Sequence, residues 1–224
     1  MPSRTVEDYL KHLYLLERGP VSPSGQVAMG GLAAAVGVTA GTATSMVKNL
    51  SESGLVDYEP RAGVRLTKAG TKLALQVLRR HRLIELFLVQ TLGLDWSEVH
   101  EEAEELEHAI SDKVLEKIDT LLGHPDTDPH GDPIPPSTGS PKQEKLTPLN
   151  DCAINTTAKV ARVRDQEPAF LQFVDKHGLT PGAQFTVESH TPSADAITVR
   201  PQDRDPVTLG SAAAGKIMVK VNKS

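Results

Sequence analysis

Residues 32–70 read Leu32-Ala-Ala-Ala-Val-Gly37-Val-Thr39-Ala-Gly41-Thr42-Ala-Thr-Ser45-Met46-Val47-Lys48-Asn-Leu50-Ser-Glu-Ser-Gly54-Leu-Val-Asp-Tyr-Glu-Pro-Arg61-Ala-Gly63-Val-Arg65-Leu-Thr67-Lys-Ala-Gly70. A short Ala-rich helix, a turn at Gly37 and a second helix opened by Thr39 are dictated by the capping and turn chemistry of these residues. Met46, Val47 and Leu50 anchor the second helix to a core. Taken alone, residues 32–50 fit equally an αα-hairpin without a DNA role and a helix-turn-helix. Residues 51–70 favour the second reading: strand, turn at Arg61-Ala-Gly63, strand, then a helix from near Thr67. A two-stranded wing with arginine at its tip, directly behind a helix-turn-helix, makes a winged helix. The second helix then offers Thr39, Gly41, Thr42 and Ser45 to base edges, while Lys48, Arg61 and Arg65 meet phosphates.

Upstream, residues 5–18 place Val6, Tyr9, Leu10, Leu13 and Leu15 or Leu16 at helical spacing, with Thr5 as cap and Gly19-Pro20 as terminator. Ser22 to Gly31 is a loop by composition. Downstream, residues 67–122 form a nearly continuous helical region interrupted at Leu92-Gly93-Leu94-Asp95. Leu73, Val77, Leu78, Leu83, Leu86, Phe87 and Leu88 supply more apolar surface than one small winged helix needs, which predicts a homodimer interface; a longer monomer core is the competing reading. A two-fold dimer suits a palindromic double-stranded DNA operator.

The stretch His100-Glu-Glu-Ala-Glu104-Glu-Leu-Glu107-His108 lies in this helical region, with no proline or glycine to break it. At about 100° per residue, His100, Glu104 and Glu107 fall within roughly 60° of one another, with His108 at the margin. The face carries oxygen and nitrogen donors for a cation, whereas a solvated charged face is the plainer reading of a Glu-rich run. His81 and Glu85, at i and i+4, form a second pair at a spacing that lets two side chains share one ion.

Charge is distributed unevenly over the 224 residues, whose formal net charge is −5. Residues 1–72 hold eight Lys or Arg against six Asp or Glu, a net of +2, and residues 73–122 hold five against eleven, a net of −6. A protein of this kind can meet DNA with one face and metal with another. The single cysteine, Cys152, excludes a disulfide framework and fits a reducing compartment as a buried structural thiol. No run approaches the roughly 18 apolar residues that span a bilayer, and the first residues lack a secretory signal core, so the cytoplasm is expected and a membrane partner is not.

From Gly123 to Lys145 the chain turns to proline, glycine and short polar residues and reads as a semi-extended linker. Its His124, Asp126, Asp128 and His130 have side chains able to bind a metal adventitiously, but a polar hinge is the favoured reading. Beyond it, Ala158-Lys-Val-Ala-Arg-Val, Ala183-Gln-Phe-Thr-Val-Glu-Ser, Ala196-Ile-Thr-Val-Arg-Pro and Lys216-Ile-Met-Val-Lys-Val alternate as strands. A short helix, Glu167 to Gly178, lies between the first two. The expected fold is mainly α with a small β domain: a winged helix-turn-helix over 1–72, a helical metal-binding and dimerisation domain over 73–122, a Pro-rich linker over 123–147, and a small β barrel over 148–224.

Glu7-Asp-Tyr-Leu in the first helix, the winged helix, Arg80-His-Arg-Leu-x-Glu85, Gly93-Leu-Asp, Val99-His-Glu-Glu-Ala, Glu107-His108-x-x-Ser-Asp112 and Gly131-Asp-Pro-Ile-Pro135 occur in one order. Over nearly its whole length the chain thereby resembles the diphtheria toxin repressor family of metal-dependent transcriptional repressors. The C-terminal barrel resembles that family's SH3-like domain. The resemblance implies a primary metal site of Asp8, Glu104, Glu107 and His108 and an ancillary site of His81, Glu85 and His100, with Glu167 the nearest substitute for a ligand from the barrel. Iron-responsive members carry methionine and cysteine where Asp8 and Glu104 stand. Carboxylates there favour a harder ion, so the resemblance implies manganese, Mn2+, as co-repressor, with Fe2+ as the alternative and Co2+ or Zn2+ binding in vitro. Lys11 stands where short manganese-responsive relatives often have a second carboxylate, which argues against a closely spaced two-ion cluster.

The implied function is a metal-dependent repressor of metal-uptake genes. A metal-independent winged-helix regulator is one rival. A di-iron carboxylate enzyme is another, since Glu105-Leu-Glu-His108 spells Glu-x-x-His, but that fold needs two such motifs and the chain has one. With no nucleophile elbow, phosphate-binding glycine loop or Cys-based zinc motif, catalysis is not expected.

Overall fold

The computed structural model describes residues 3–19, 25–139, 141 and 144–221. The chain divides into two compact units, Met1–His81 with Pro135–Ser140, and Arg82–Ile134 with Pro141–Ser224.

In the first unit, α1 (Arg4–Arg18), α2 (Met29–Val36) and α3 (Ala40–Glu52) precede a hairpin of β1 (Val56–Glu59) and β2 (Gly63–Leu66), and α4 (Lys68–Gln90) begins behind it. Tyr9, Leu10 and Leu13 form the buried stripe of α1, and they share a core with Leu32, Ala43, Val47, Leu50, Val64 and Leu78. Gly37 ends α2 at φ 73°, the left-handed conformation that closes a helix, and Thr39 caps α3 by accepting from the Thr42 N–H at 3.2 Å. The hairpin pairs Val56 with Leu66 and Glu59 with Gly63. Two ties fix it to the helices: Val27 bridges Val64, and a Glu17 carboxylate oxygen on α1 accepts from the Leu66 N–H at 2.5 Å. Of the predicted loop, Ser22 to Ser24 lie outside the described residues. Its other end is already helical, because burial of Leu32 and Ala33 outweighs the poor helix propensity of Gly30 and Gly31.

The second unit continues α4 and adds α5 (Val99–Leu106) and α6 (Asp112–Leu121). The helical region therefore breaks a second time, at Glu107 to Ser111, where the Ser111 hydroxyl accepts from the Val114 N–H at 3.4 Å to start α6. Leu83, Ile84, Leu86 and Leu88, a run whose leucines suggest a dimer interface in sequence, are consumed inside the chain: Ile84 and Leu88 pack with Val99 and Ala103, and Leu83 and Leu86 with Ile134. The apolar side chains that remain exposed in this helical part are Leu92, Val114 and Leu121.

The rest of the unit is one six-stranded antiparallel sheet in the order β3-β8-β4-β5-β6-β7, built from β3 (Thr147–Pro148), β4 (Thr157–Val163), β5 (Gln184–Thr191), β6 (Ala196–Pro201), β7 (Val207–Gly210) and β8 (Ile217–Val221), with α7 (Pro168–Lys176) after β4 and α8 (Ser211–Ala214) after β7. This corrects the expected SH3-like β barrel, for the sheet does not close. Among the described residues β3 pairs only with β8 and β7 only with β6, so two edges remain. The physical reason lies at those edges. β3 is two residues long and half proline, which has no N–H to give a further partner, and β7 runs straight into α8. Strand alternation has no power to separate the two cases, since an open curved sheet and a barrel both bury one face; β4 and β6 do so with Ala158, Val160, Val163, Ile197 and Val199. Cys152 is buried beside this core, and burial, with Asp151 acting in the same direction, raises its thiol pKa.

The segment that reads as a hinge is packed over its first half. Ile134 is buried, Thr127 bridges Pro133, and the Val163 N–H of β4 donates to the His130 carbonyl at 2.9 Å. Gly131 makes that approach possible. Its φ is 84°, and a Cβ on it would stand 2.0 Å from the Ala161 carbonyl oxygen. Gly131→Ala is therefore expected to lower stability by about 2 kcal/mol or more, through backbone strain and collision together. Thermal unfolding checks this, and a melting temperature equal to the parent's would show that the glycine is dispensable.

Candidate functional site

The helix-turn-helix presents its reading face to solvent. Thr39, Gly41, Thr42, Ser45 and Lys48 of α3 are all exposed, while Ala43, Val47 and Leu50 on the opposite side are buried. Thr39 and Thr42 are linked by a 2.9 Å hydrogen bond between their hydroxyls, which holds two polar side chains at the front of the helix. Arg61 occupies the wing tip at φ 71°, with its side chain exposed. Arg65 differs: its Nε donates to Asp57 Oδ2 across the hairpin at 3.1 Å, with both side chains 59% exposed. An exposed pair of this kind is weak enough to exchange for a phosphate.

In the second unit three ionisable side chains meet in the interior. Glu85 comes from α4, and Asp128 and His130 from the packed segment; one donor atom of each lies within 4.8 Å of the others. All three residues are at most 4% exposed. Glu85 Oε2, Asp128 Oδ2 and His130 Nδ1 have no hydrogen-bond partner, and His130 Nδ1 stands 3.9 Å from Glu85 Oε2. Buried polar atoms are nearly always paired, so three orphans aimed at one point require something else to satisfy them. Two ligands of one ion stand at most about 4.4 Å apart at bond lengths of about 2.0 to 2.2 Å, and the 3.9 Å between His130 Nδ1 and Glu85 Oε2 falls within that span. Two carboxylates and an imidazole are also donors of the right kind, so a divalent cation fits.

The surroundings hold these groups in place. Asp128 Oδ1 accepts from the backbone N–H groups of His130 and Asp132, each at 2.9 Å, which turns Oδ2 toward the cluster. The His130 ring stacks on Trp96 with centroids 5.4 Å apart, and His130 Nε2 lies 2.9 Å from the Trp96 carbonyl. Since that carbonyl can only accept, Nε2 donates, which turns Nδ1 toward the cluster. Burial pushes the Asp128 carboxyl well above the usual carboxylate range, Asp132 and Glu85 push the same way, and Arg82 and the Asp132 N–H oppose them.

Of the other predicted ligands, His100 lies between two carboxylates, with Nδ1 3.3 Å from Glu85 Oε1 and Nε2 3.6 Å from Glu104 Oε1. Glu85 thus turns one oxygen to His100 and the other to His130. Glu107, buried at the end of α5, and His108 are neighbours at 3.3 Å. In the first unit, Asp8 is half-buried on α1, and His81 is buried on α4, one helical turn before Glu85. Glu167 is exposed at the start of α7 and outside the clusters of possible ligands found among the described residues. Reading the sequence ranks Asp128 and His130 as hinge residues ahead of ligands. The available signal is the Asp128-x-His130 spacing before Gly131-Asp132-Pro133, which the surrounding prolines disguise as a hinge.

Three family descriptions match the chain: "Iron dependent repressor, N-terminal DNA binding domain" over residues 1–64, "Iron dependent repressor, metal binding and dimerisation domain" over 67–136, and "FeoA domain" over 147–221. The iron-dependent repressor IdeR of Mycobacterium leprae (strain TN) is 30% identical over 229 residues, covering 96% of each chain. The chain belongs to the iron-dependent repressor family. It is a metal-dependent, DNA-binding transcriptional repressor and not an enzyme, as the resemblance to diphtheria toxin repressors implied. Two solved structures are similar over nearly the whole chain. A manganese-dependent transcriptional repressor in complex with manganese is 38% identical, with a TM-score of 0.87, covering 97% of this chain and 100% of the other. ScaR with bound Zn2+ is 32% identical, with a TM-score of 0.75, covering 98% and 99%. No single helix among the described residues is long and apolar enough to cross a membrane.

The raised Asp128 carboxyl makes a prediction for the metal-free protein. A carboxyl whose folded pKa lies above its unfolded one stabilises the fold below the unfolded value, and that contribution is lost as pH rises through the folded value. Asp128→Asn should remove this loss, so the variant gains stability over the parent on going from pH 5 to pH 8 in chelator. Melting temperatures at the two pH values measure it; a constant difference would refute a strained carboxylate.

Proposed function

We propose that this repressor responds chiefly to manganese, with iron(II) the alternative, and that it silences metal-uptake genes as a cytoplasmic homodimer on a palindromic operator. The observation that carries the metal reading is the buried cluster of Glu85, Asp128 and His130, whose potential ligand atoms lie within 4.8 Å of one another. Its donors are two carboxylates and one imidazole, with neither thiolate nor thioether. Carboxylates suit manganese, and imidazole also admits iron, zinc and cobalt, so the donor set favours manganese without excluding the metals that bind more tightly in general.

For the primary ligands we propose Asp8, Glu104, Glu107 and His108, and for the ancillary ones His81, Glu85 and His100, with Glu167 the candidate from the C-terminal part. The support is donor chemistry and membership of a metal-dependent family. A bound divalent cation supplies positive charge that neutralises the carboxylates and lets distant parts of the chain share one ligand. Asp8 lies in the helix that leads into the DNA-reading module, and Glu104 to His108 lie far along the sequence in the stretch matched to dimerisation. Residues so separated can couple operator binding to metal supply. A ligand at roughly 100 times its dissociation constant biases the competent state by about 2.7 kcal/mol when the other state does not bind it. Exposed Leu92, Val114 and Leu121 support a self-association surface in this stretch. The division into reader, helical core, Pro-rich connection and C-terminal β part is our reading of how the labour is shared.

At the operator, the exposed face of α3 supports base contacts from Thr39, Gly41, Thr42 and Ser45, and the positions of Lys48, Arg61 and Arg65 support phosphate contacts. Asp8→Ala and Glu104→Ala are each expected to abolish manganese-stimulated operator binding while leaving a folded dimer. Gel-shift titration with sedimentation of the same samples decides this; stimulation undiminished in both variants removes the primary assignment. Arg61→Ala should weaken binding to all DNA sequences alike and reduce the slope of log affinity against log salt by about 1. An unchanged slope takes Arg61 out of the phosphate contacts.

A further inference from the structure

Arg82 lies on α4 three residues before Glu85, hence on the same side of the helix, and it has no place in either ligand set. Its side chain is only 9% exposed. Nη1 donates to the Pro133 carbonyl at 2.6 Å, Nη2 stands 3.5 Å from Asp132 Oδ1, and Nε stands 3.4 Å from Asp128 Oδ2. The last contact brings charge without a hydrogen bond, for Asp128 Oδ2 remains unpartnered. The carbonyl of Pro133 is a strong neutral anchor, so the guanidinium is fixed beside the cluster irrespective of what the carboxylates do. Asp132 is in turn held by Arg162 Nη1 at 3.1 Å and by Gln166 Nε2 at 3.5 Å. Asp128 and Asp132 thus face the guanidinium of Arg82, and Asp132 that of Arg162 as well, beside the buried Glu85.

We propose that Arg82 is the internal counter-cation of the Glu85, Asp128 and His130 cluster, and that its fixed charge sets how tightly the cluster holds a divalent cation. The proposal rests on the metal reading of that cluster. Without a metal, the guanidinium offsets part of the carboxylate charge that burial penalises. Toward an incoming dication, the same charge is repulsive and cannot withdraw, so it weakens binding. Weak binding is what a sensor needs if it is to respond to a changing metal supply rather than remain saturated. Charge and not shape is the agent, since lysine would preserve the charge while losing the planar fork.

The chain's one tryptophan, Trp96, stacks on His130 and gives a readout independent of DNA binding. The full-length protein is titrated with Mn2+, a paramagnetic ion, while Trp96 emission is followed. The parent should be quenched, and Asp128→Asn should not be. Arg82→Gln should shift half-saturation to at least about tenfold lower Mn2+, and Arg82→Lys should stay within about threefold of the parent. Binding by Arg82→Gln that is equal to or weaker than the parent's overturns the proposal. Should Arg82→Gln fail to fold by circular dichroism, Arg162→Gln decides, because this side chain is 24% exposed and less central to the packing. It removes the second positive charge and should tighten Mn2+ binding by at least about threefold; unchanged or weaker binding overturns the proposal. Loss of the parent's own response, or its survival in Asp128→Asn, overturns the metal reading and this inference with it. A normal parent response with no tightening in the arginine variants overturns the inference alone.

Discussion

Glu85, Asp128 and His130 are buried, each with one side-chain atom that makes no hydrogen bond among the described residues, and this constraint organises the second unit. Burying a charged carboxylate is costly, and burying two beside each other more so, unless a cation or a proton intervenes. The fold concentrates that cost at one place and holds each of the three residues from its far side. Asp128 Oδ1 takes two backbone N–H groups, His130 Nε2 has the Trp96 carbonyl, and Glu85 Oε1 has His100. Each residue is therefore hydrogen-bonded through one side-chain atom, and the atoms that make no hydrogen bond converge. A merely solvated acidic face does not show this arrangement.

Why the segment can enter the interior is a matter of backbone chemistry. Asp128 begins a tight turn by accepting from residues two and four positions ahead, and Gly131 supplies the left-handed backbone that β4 requires at close range. Pro133 contributes its carbonyl to Arg82 and has no N–H to be satisfied in return. Proline, glycine and aspartate, which by composition signal a solvated hinge, serve here as the pieces of a buried turn. Composition reports which backbone shapes are available, and tertiary packing decides whether those shapes are exposed.

The same distinction explains what is legible in the sequence. The winged helix is legible because local chemistry dictates it: Thr39 as cap, Gly37 in the left-handed region, a hairpin with Arg61 at its tip, and an apolar stripe at helical spacing in α1. Glu85 of α4 and the acidic run of α5 are legible as charged side chains on helix faces for the same reason, and the order of motifs along the chain points to the right family. The pairing of Glu85 with residues more than forty positions away is not, since no local period encodes it. Closure of the β part is likewise hidden, because strand alternation specifies a buried face and says nothing of whether edges meet. The surplus of leucine in α4 reads as an interface for a second copy, yet Val99, Ala103 and Ile134 cover it from within the chain.

Glu85 links these observations. Its two oxygens address different imidazoles, His100 through Oε1 and His130 through Oε2. One carboxylate cannot be optimised for two cations independently, because a charge drawn to one oxygen depletes the other. Whatever occupies the side of His130 therefore alters the donor available to His100, and the reverse holds by the reciprocity of linked binding. With Arg82 fixed on the Asp128 flank, the buried acids form one electrostatic system rather than separate ligand sets. Its charge balance is then a property of the whole group, set by three carboxylates, two guanidiniums and the two imidazoles between which Glu85 is shared.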